Sequence, residues 1–222
     1  LNPIQIKICG ITNKKDLKLV NNKAHYIGFI NVKRSPRYIT LSKIKNLADD
    51  KEKAVLVLEP EKPEEVLEKI EESNIFNIQI HSLNPSEIKK LKIQLPENIL
   101  IIKAVGISDK LTIRKMKEIE TFAKISDAIL FDYELQGQTG GTGTQIPLNI
   151  ACHAAKIASN ANKKIKLFLA GGMNLKSLKE NFKIINSHFD VVDFNSSLEK
   201  SPGIKDPRKI KELSEYIDKV IR

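Results

Sequence analysis

Lys7 and Cys9 stand two residues apart in the apolar run Ile4–Cys9. Side chains alternate across an extended strand, so these two share a face. A free thiol has a pKa of about 8.5, and a neighbouring ammonium lowers it. Cys9 therefore reads either as a thiolate acting as base or nucleophile, or as a small buried core residue. Asp132 directly follows the apolar run Ala128–Phe131. As a general acid it needs burial to raise its pKa from about 3.9; otherwise it caps the loop leading to Gly140–Gly143. Gly171-Gly172-Met173-Asn174 follows another apolar run and opens a helical stretch. Backbone N–H groups at a helix N-terminus bind phosphate, and glycine lets that backbone approach closely; the bland alternative is a tight turn. Asn195-Ser196 follows the run Val191–Phe194 and offers a second cradle. Arg37, in Arg34-Ser35-Pro36-Arg37-Tyr38, carries a planar fork suited to a carboxylate, or is plain surface charge. An acid, a base and a phosphate cradle point to an enzyme acting on a phosphorylated small molecule by acid–base chemistry.

These residues need a scaffold that gathers them. Eight β-branched or apolar runs qualify as strands: Ile4–Cys9, Tyr26–Ile30, Ala54–Leu58, Ile75–Ile80, Ile99–Val105, Ala128–Phe131, Ile165–Ala170 and Val191–Phe194. They recur every ~27 residues, close to the roughly 30 of a strand-plus-helix unit. Between them lie helix signals. Pro63 and Pro85 stand at first turns with acids behind them, and Thr40 and Asn174 are N-cap candidates. Ile113, Met116, Ile119 and Phe122 suggest one buried stripe, as do Ile210, Leu213, Ile217 and Val220. The expected architecture is a single-domain (βα)8 TIM barrel over residues 1–222, with no internal linker. An open doubly wound sheet usually carries a Gly-rich turn after its first strand, where this chain has Cys9-Gly10. In a barrel the strand C-termini form the active rim. Cys9, His81, Asp132, Gly171 and Asp193 collect there, whereas Lys53, Asn74, Asn98 and Lys164 at the other ends look like ordinary turn residues.

Composition narrows the function classes. Of 222 residues 41% are apolar and only 5% aromatic, with no Trp, so the core must be mostly aliphatic. The net charge of +10 raises nucleic acid as a partner, but the lysines are scattered at helical spacing and no basic block interleaves with aromatics. Nucleic-acid binding is not expected. Cys9 and Cys152 make no disulfide framework, and Cys152, in Ile150–Ala155, reads as core. His25, His81, His153 and His188 show no metal-ligand spacing, so no metal is expected. No apolar run is long enough to span a membrane, and no leader pattern opens LNPIQIKICG, so a cytoplasmic location is expected.

Taken in order, the same residues resemble the phosphoribosylanthranilate isomerase family of tryptophan biosynthesis. Lys7–Thr12 reads KICGIT; Gly28-Phe29 and Ser35–Ile39 match the stretch after strand two. Gln79-Ile80-His81 matches QLH, Ile102–Ser108 matches IKAVGVS, and Phe131-Asp132 with Gly140–Gly143 matches LD…GG[ST]G. Gly171–Asn174 matches GGLN, and Asp193–Glu199 with Pro202–Asp206 matches the last motif. The resemblance implies an Amadori rearrangement of N-(5-phosphoribosyl)anthranilate to the 1-deoxyribulose 5-phosphate derivative, without a cofactor. It implies Asp132 as general acid, Cys9 as general base, and Arg37 on the anthranilate carboxylate. Lys7, His81 and Asp193 would lie at the substrate, and the phosphate on Gly171, Gly172, Asn174, Asn195 and Ser196. A homodimer stays open. The chain departs from the family at Ser82, at Ile146-Pro147-Leu148 and at Ser197, where glycine, FDW and glycine are usual. A histidine-pathway ribonucleotide isomerase would share the fold but carry Asp in place of Cys9. A basic nucleic-acid-binding protein is the alternative from another class.

Overall fold

The computed structural model describes residues 3–135, 138–139 and 145–220. The Gly140–Gly143 loop, expected to cover Asp132, lies outside the described residues. Along the chain run β1 (Gln5–Cys9), α1 (Lys14–Val20), β2 (Tyr26–Ile30), α2 (Leu41–Leu47), β3 (Ala54–Leu58), α3 (Pro63–Ser73), β4 (Asn77–Ile80) and α4 (Pro85–Gln94). There follow β5 (Leu100–Ile107), α5 (Ile113–Ile125), β6 (Ala128–Leu135), β7 (Gln138–Thr139), α6 (Leu148–Ala161), β8 (Lys166–Leu169) and α7 (Leu175–His188). Last come β9 (Val191–Phe194), a 3₁₀ turn (Ser196–Leu198), the short pair β10 (Glu199–Ser201) and β11 (Ile204–Lys205), and α8 (Pro207–Val220). Parallel pairing runs β5-β4-β3-β2-β1-β9-β8-β6 and closes through β5–β6. This is the expected eight-stranded parallel barrel.

Local chemistry starts the helices. Thr40 accepts a hydrogen bond from the Lys43 N–H, and Asn174 accepts one from the Ser177 N–H. Asn84 and Glu87 form a reciprocal capping box on α4. Strand alternation then sorts the core into two layers. Cys9, Ile30, Val57, Ala104, Leu130, Phe168 and Ala170 pack inside the barrel, while the intervening strand residues pack against the helices.

Three expectations need correction. The β6 strand does not stop before Asp132 but continues to Leu135, because Asp132 and Tyr133 pair with β5 and the next residues pair with the two-residue β7. Ile113 is not part of a buried stripe; it is 71% exposed, since a three-residue repeat drifts around a 3.6-residue helix and only its far end stays inward. Val220 is only partly buried at the end of α8.

Candidate functional site

The C-terminal mouth of the barrel opens into a cavity of about 350 Å³, lined by Cys9, Arg37, His81, Asp132, Asp193 and both predicted phosphate turns. Each inward side chain arrives there by strand parity. Cys9 comes from β1, Gln79 from β4 with His81 just beyond it, Asp132 from β6 and Asp193 from β9. Lys7, expected at the substrate, shares the face of Cys9 but is fully buried and does not line the cavity.

Lys7 is fully buried, and its Nζ donates to Asp193 Oδ2 at 2.6 Å. Burial works against the ammonium, but the Asp193 and Cys9 charges outweigh it and raise its pKa. Burial pushes the Cys9 thiol up, and Lys7 and Lys205 offset that only in part while Asp193 adds to it. The expectation that Lys7 lowers Cys9 is therefore right in sign for the pair and wrong in outcome, because desolvation dominates. The strand beside Cys9 must also make room. A Cβ on Gly28 would sit 2.5 Å from Cys9 Sγ, so only glycine fits opposite the thiol.

Burial raises the Asp132 pKa to about 6; the Tyr133 N–H, donating at 2.8 Å, and Lys7 pull it down, while Asp193 pushes it further up. Burial also pushes Asp193 up, against Lys7 and Lys205. Burial, with the Lys103 and Lys7 charges, lowers His81 to about 4, so its imidazole is neutral near pH 7. The His81 Nε2 lies 2.8 Å from Gln79 Nε2, whose amide donates to it. Gln79 Oε1, His81 Nδ1 and Asp193 Oδ1 are buried polar atoms without a hydrogen-bond partner in the structure. Buried polar groups are nearly always bonded. Three such atoms around one cavity mark where polar groups of a ligand belong.

Arg37 is not surface charge. It is 8% exposed, and its Nε and Nη2 grip both oxygens of Glu199 at 2.7–3.1 Å. Glu199 also accepts from Lys205 Nζ at 3.0 Å. Burial opposes the Glu199 charge, but Arg37 and Lys205 hold its carboxyl below the usual range. Lys205 in turn donates to the Asn195 carbonyl and side-chain oxygens at 3.2 Å. One buried chain of charges thus ties the Arg37 loop to the turn after β9.

Gly171 and Gly172 both adopt left-handed backbone, with φ of 70° and 66°. A Cβ on Gly171 would come within 2.8 Å of the Tyr133 backbone nitrogen, so that turn requires glycine twice over, for angle and for space. Asn174 does not line the cavity, because its side chain caps α7. Ser197 Oγ donates to the Met173 carbonyl at 2.6 Å and so fastens the two phosphate turns to each other. Neither Ser197 nor Ser82 needs the glycine usual in the family, since neither has positive φ. Ile146, at the position of the missing aromatic, is buried against Gly171.

Sequence reasoning missed the parts played by Gln79, Glu199 and Lys205. Gln79 was within reach, since it shares strand parity with His81. Glu199 meets Arg37 across a span of 162 residues, and Lys205 joins them through Glu199, which no local pattern announces. Among the described residues no group of three or more His, Cys, Asp or Glu could hold a metal ion. No helix there is long and apolar enough to cross a membrane.

The profile of the family described as N-(5'-phosphoribosyl)anthranilate (PRA) isomerase matches residues 6–216. An N-(5'-phosphoribosyl)anthranilate isomerase from Methanothermobacter marburgensis is 34% identical, over 97% of this chain and 95% of that protein. The enzyme of the same description from Petrotoga mobilis is also 34% identical, over 98% of each chain. In fold, the chain is similar to the crystal structure of phosphoribosyl anthranilate isomerase from Thermotoga maritima, with a TM-score of 0.79 at 24% identity, covering 98% of this chain and 100% of that one. A structure of such an isomerase with reduced 1-(o-carboxyphenylamino)-1-deoxyribulose 5-phosphate superposes with a TM-score of 0.76 at 23% identity, over 98% of this chain and 100% of that one.

Proposed function

The chain belongs to the N-(5'-phosphoribosyl)anthranilate isomerase family, and from that membership we propose how its own residues carry out the Amadori rearrangement of tryptophan biosynthesis. The observation that carries the proposal is the pairing of Cys9 and Asp132 on one cavity, each with a pKa pushed upward by burial.

Asp132, with a pKa of about 6, keeps a proton on roughly one molecule in ten at pH 7, a population near a hundredfold larger than an ordinary Asp offers. It gives that proton to the ribose ring oxygen. The C1–O bond breaks, and the nitrogen lone pair forms the C1=N bond of a protonated Schiff base. Cys9, as thiolate, then takes the proton from C2, and the C2–H electrons form the enolamine. Loss of the enol O–H proton and protonation at C1 give the ketone product. The positive Schiff base and the Lys7 ammonium both favour the thiolate at the moment it is needed. Acid and base here are side chains of the protein, so this route draws on no cofactor.

Arg37, fixed by Glu199, faces the anthranilate carboxylate. The turns Gly171–Met173 and Asn195–Ser196 offer backbone N–H groups to the phosphate, with Ser197 holding them together. Gln79, His81 and Asp193 direct their unpartnered atoms at the sugar hydroxyls. A cytoplasmic location and a homodimer accompany this reading; the Thermotoga maritima enzyme is described as dimeric, in a structure of monomers generated from it, and gel filtration of this chain checks the second point.

Turnover of phosphoribosylanthranilate, followed by loss of its fluorescence, tests the function. Steady consumption with formation of the ketose is expected. In crystals grown with phosphate, the anion should lie within hydrogen-bond range of the Gly172 and Ser196 amides. An ion at the opposite end of the barrel, with this mouth empty, overturns the site assignment.

A further inference from the structure

Lys103 is the single charge in the β5 sequence LIIKAVGI. Its neighbours Ile102 and Ala104 face the barrel interior, so Lys103 faces the helical layer, where it is 4% exposed and lies 5.0 Å from the Phe122 ring centroid. Its Nζ donates to the His81 carbonyl at 2.9 Å and the Ser82 carbonyl at 2.8 Å, and reaches the Ile80 carbonyl at 3.5 Å. All three belong to the exit of β4. The next residue, Leu83, is held at φ of 64°, a conformation unfavourable for a branched side chain and kept only where surroundings enforce it. Ser82 Oγ adds a bond to the Pro60 carbonyl. The turn is thus fastened from behind, while its front presents the His81 ring to the cavity.

We propose that Lys103 is a positioning residue for His81: by binding the His81 and Ser82 carbonyls, its ammonium fixes the turn that presents the imidazole to the substrate. The placement of substrate rests on the function proposed above; the bond between Lys103 and the turn does not. After burial, the Lys103 charge is the largest influence lowering the His81 pKa, followed by Lys7, with Arg34 acting the same way and Glu59 opposing. A neutral imidazole whose Nε2 accepts from the Gln79 amide offers its Nδ1–H as a donor to a sugar hydroxyl, whereas an imidazolium would repel the positive Schiff base. Lys103 itself titrates at about 8, lowered by burial and by Lys115 and raised by Glu118, both on α5. Its proton is therefore removable within the working range of most proteins.

The test is histidine NMR on isotope-labelled protein, with His81 identified by its loss in His81→Asn, alongside steady-state kinetics. In the wild type the His81 ring should stay neutral to about pH 5 and show a second, smaller inflection near the Lys103 pKa of about 8. In Lys103→Met its proton affinity should rise at least about tenfold, and KM should rise more than kcat falls. An unchanged His81 titration and unchanged KM in a folded Lys103→Met protein overturn the proposal and leave Lys103 a packing residue. If Lys103→Met does not fold, Lys103→Gln takes its place with the same two readouts, and an unchanged His81 titration with unchanged KM overturns it. The NMR outcome stands whether or not phosphoribosylanthranilate is turned over, so failure of the function and failure of the positioning role are separable.

Discussion

The two ends of this barrel are built from the same eight strands and treat polar groups in opposite ways. At the N-terminal end, Lys166 Nζ reaches the Gln5 side-chain oxygen at 3.1 Å and the Tyr26 hydroxyl at 2.8 Å, and Tyr26 packs on Phe168 with ring centroids 5.4 Å apart. The polar atoms of that plug answer one another. At the C-terminal mouth, Gln79, His81 and Asp193 each keep an atom unanswered, and burial moves Asp132 and His81 to about 6 and about 4. Inside the barrel the N-terminal end is finished as a fold, with the unpartnered Ser126 Oγ and Asn186 Oδ1 confined to the helix ends around it. The other is finished only by a ligand, and carries desolvated charge that a purely structural core would avoid.

The sharpest way to test that division is Cys9→Ser. An alcohol keeps the shape but ionises far less readily, so turnover should fall by at least about 10²–10⁴-fold with the melting temperature nearly unchanged. Wild-type turnover would remove Cys9 from the mechanism, and Cys152→Ser serves as the silent control. Asp132→Asn should cut kcat by at least about 10²-fold and remove the decline of activity above about pH 6, while product affinity changes far less. Equal losses in affinity and kcat would make Asp132 a positioning group instead. The same variant probes stability. With its pKa raised, folded Asp132 binds a proton that the unfolded chain has released between about pH 4 and 6, so the penalty is complete above the folded pKa. Asp132→Asn should therefore stabilise the protein by about 1–3 kcal/mol at pH 7 and by almost nothing below pH 4, as read by urea unfolding at the two pH values.

The N-terminal end should answer in reverse. Lys166→Met leaves the Tyr26 and Gln5 groups without their shared donor; a loss of about 1–2 kcal/mol in urea unfolding is expected, with turnover unchanged. A fall in turnover at unchanged stability would erase the distinction between the ends. The smallest effect belongs to Ser197→Gly, which removes the bond to the Met173 carbonyl. Loosening of the phosphate turns should raise KM several-fold and weaken inhibition by inorganic phosphate by a similar factor, for about 0.5–1.5 kcal/mol.

The barrel was legible in the sequence because strand and helix periods repeat locally, and because Thr40, Asn84 and Asn174 begin helices by contacts within three residues. The rim was legible for a related reason: parity and strand order place Cys9, His81, Asp132 and Asp193 on one mouth without any tertiary detail. What escaped was everything set by distant partners. The extension of β6 depends on pairing with β5 and β7. The burial of Arg37 depends on Glu199, and the direction of the Cys9 shift depends on how much water the finished barrel excludes. Nothing near Lys103 in sequence says that it closes on the carbonyls of another strand.

The pairing of Lys7 with Asp193 spans 186 residues, and Arg37 waits for Glu199 across 162. A ribosome releases the cations long before their carboxylates. Lys7 is fully buried in the finished barrel, and its counter-ion comes from the last strand of the barrel. The ion pair thereby marks the seam where the barrel closes: only when β9 lies beside β1 do the acid, the base and the charges between them stand together.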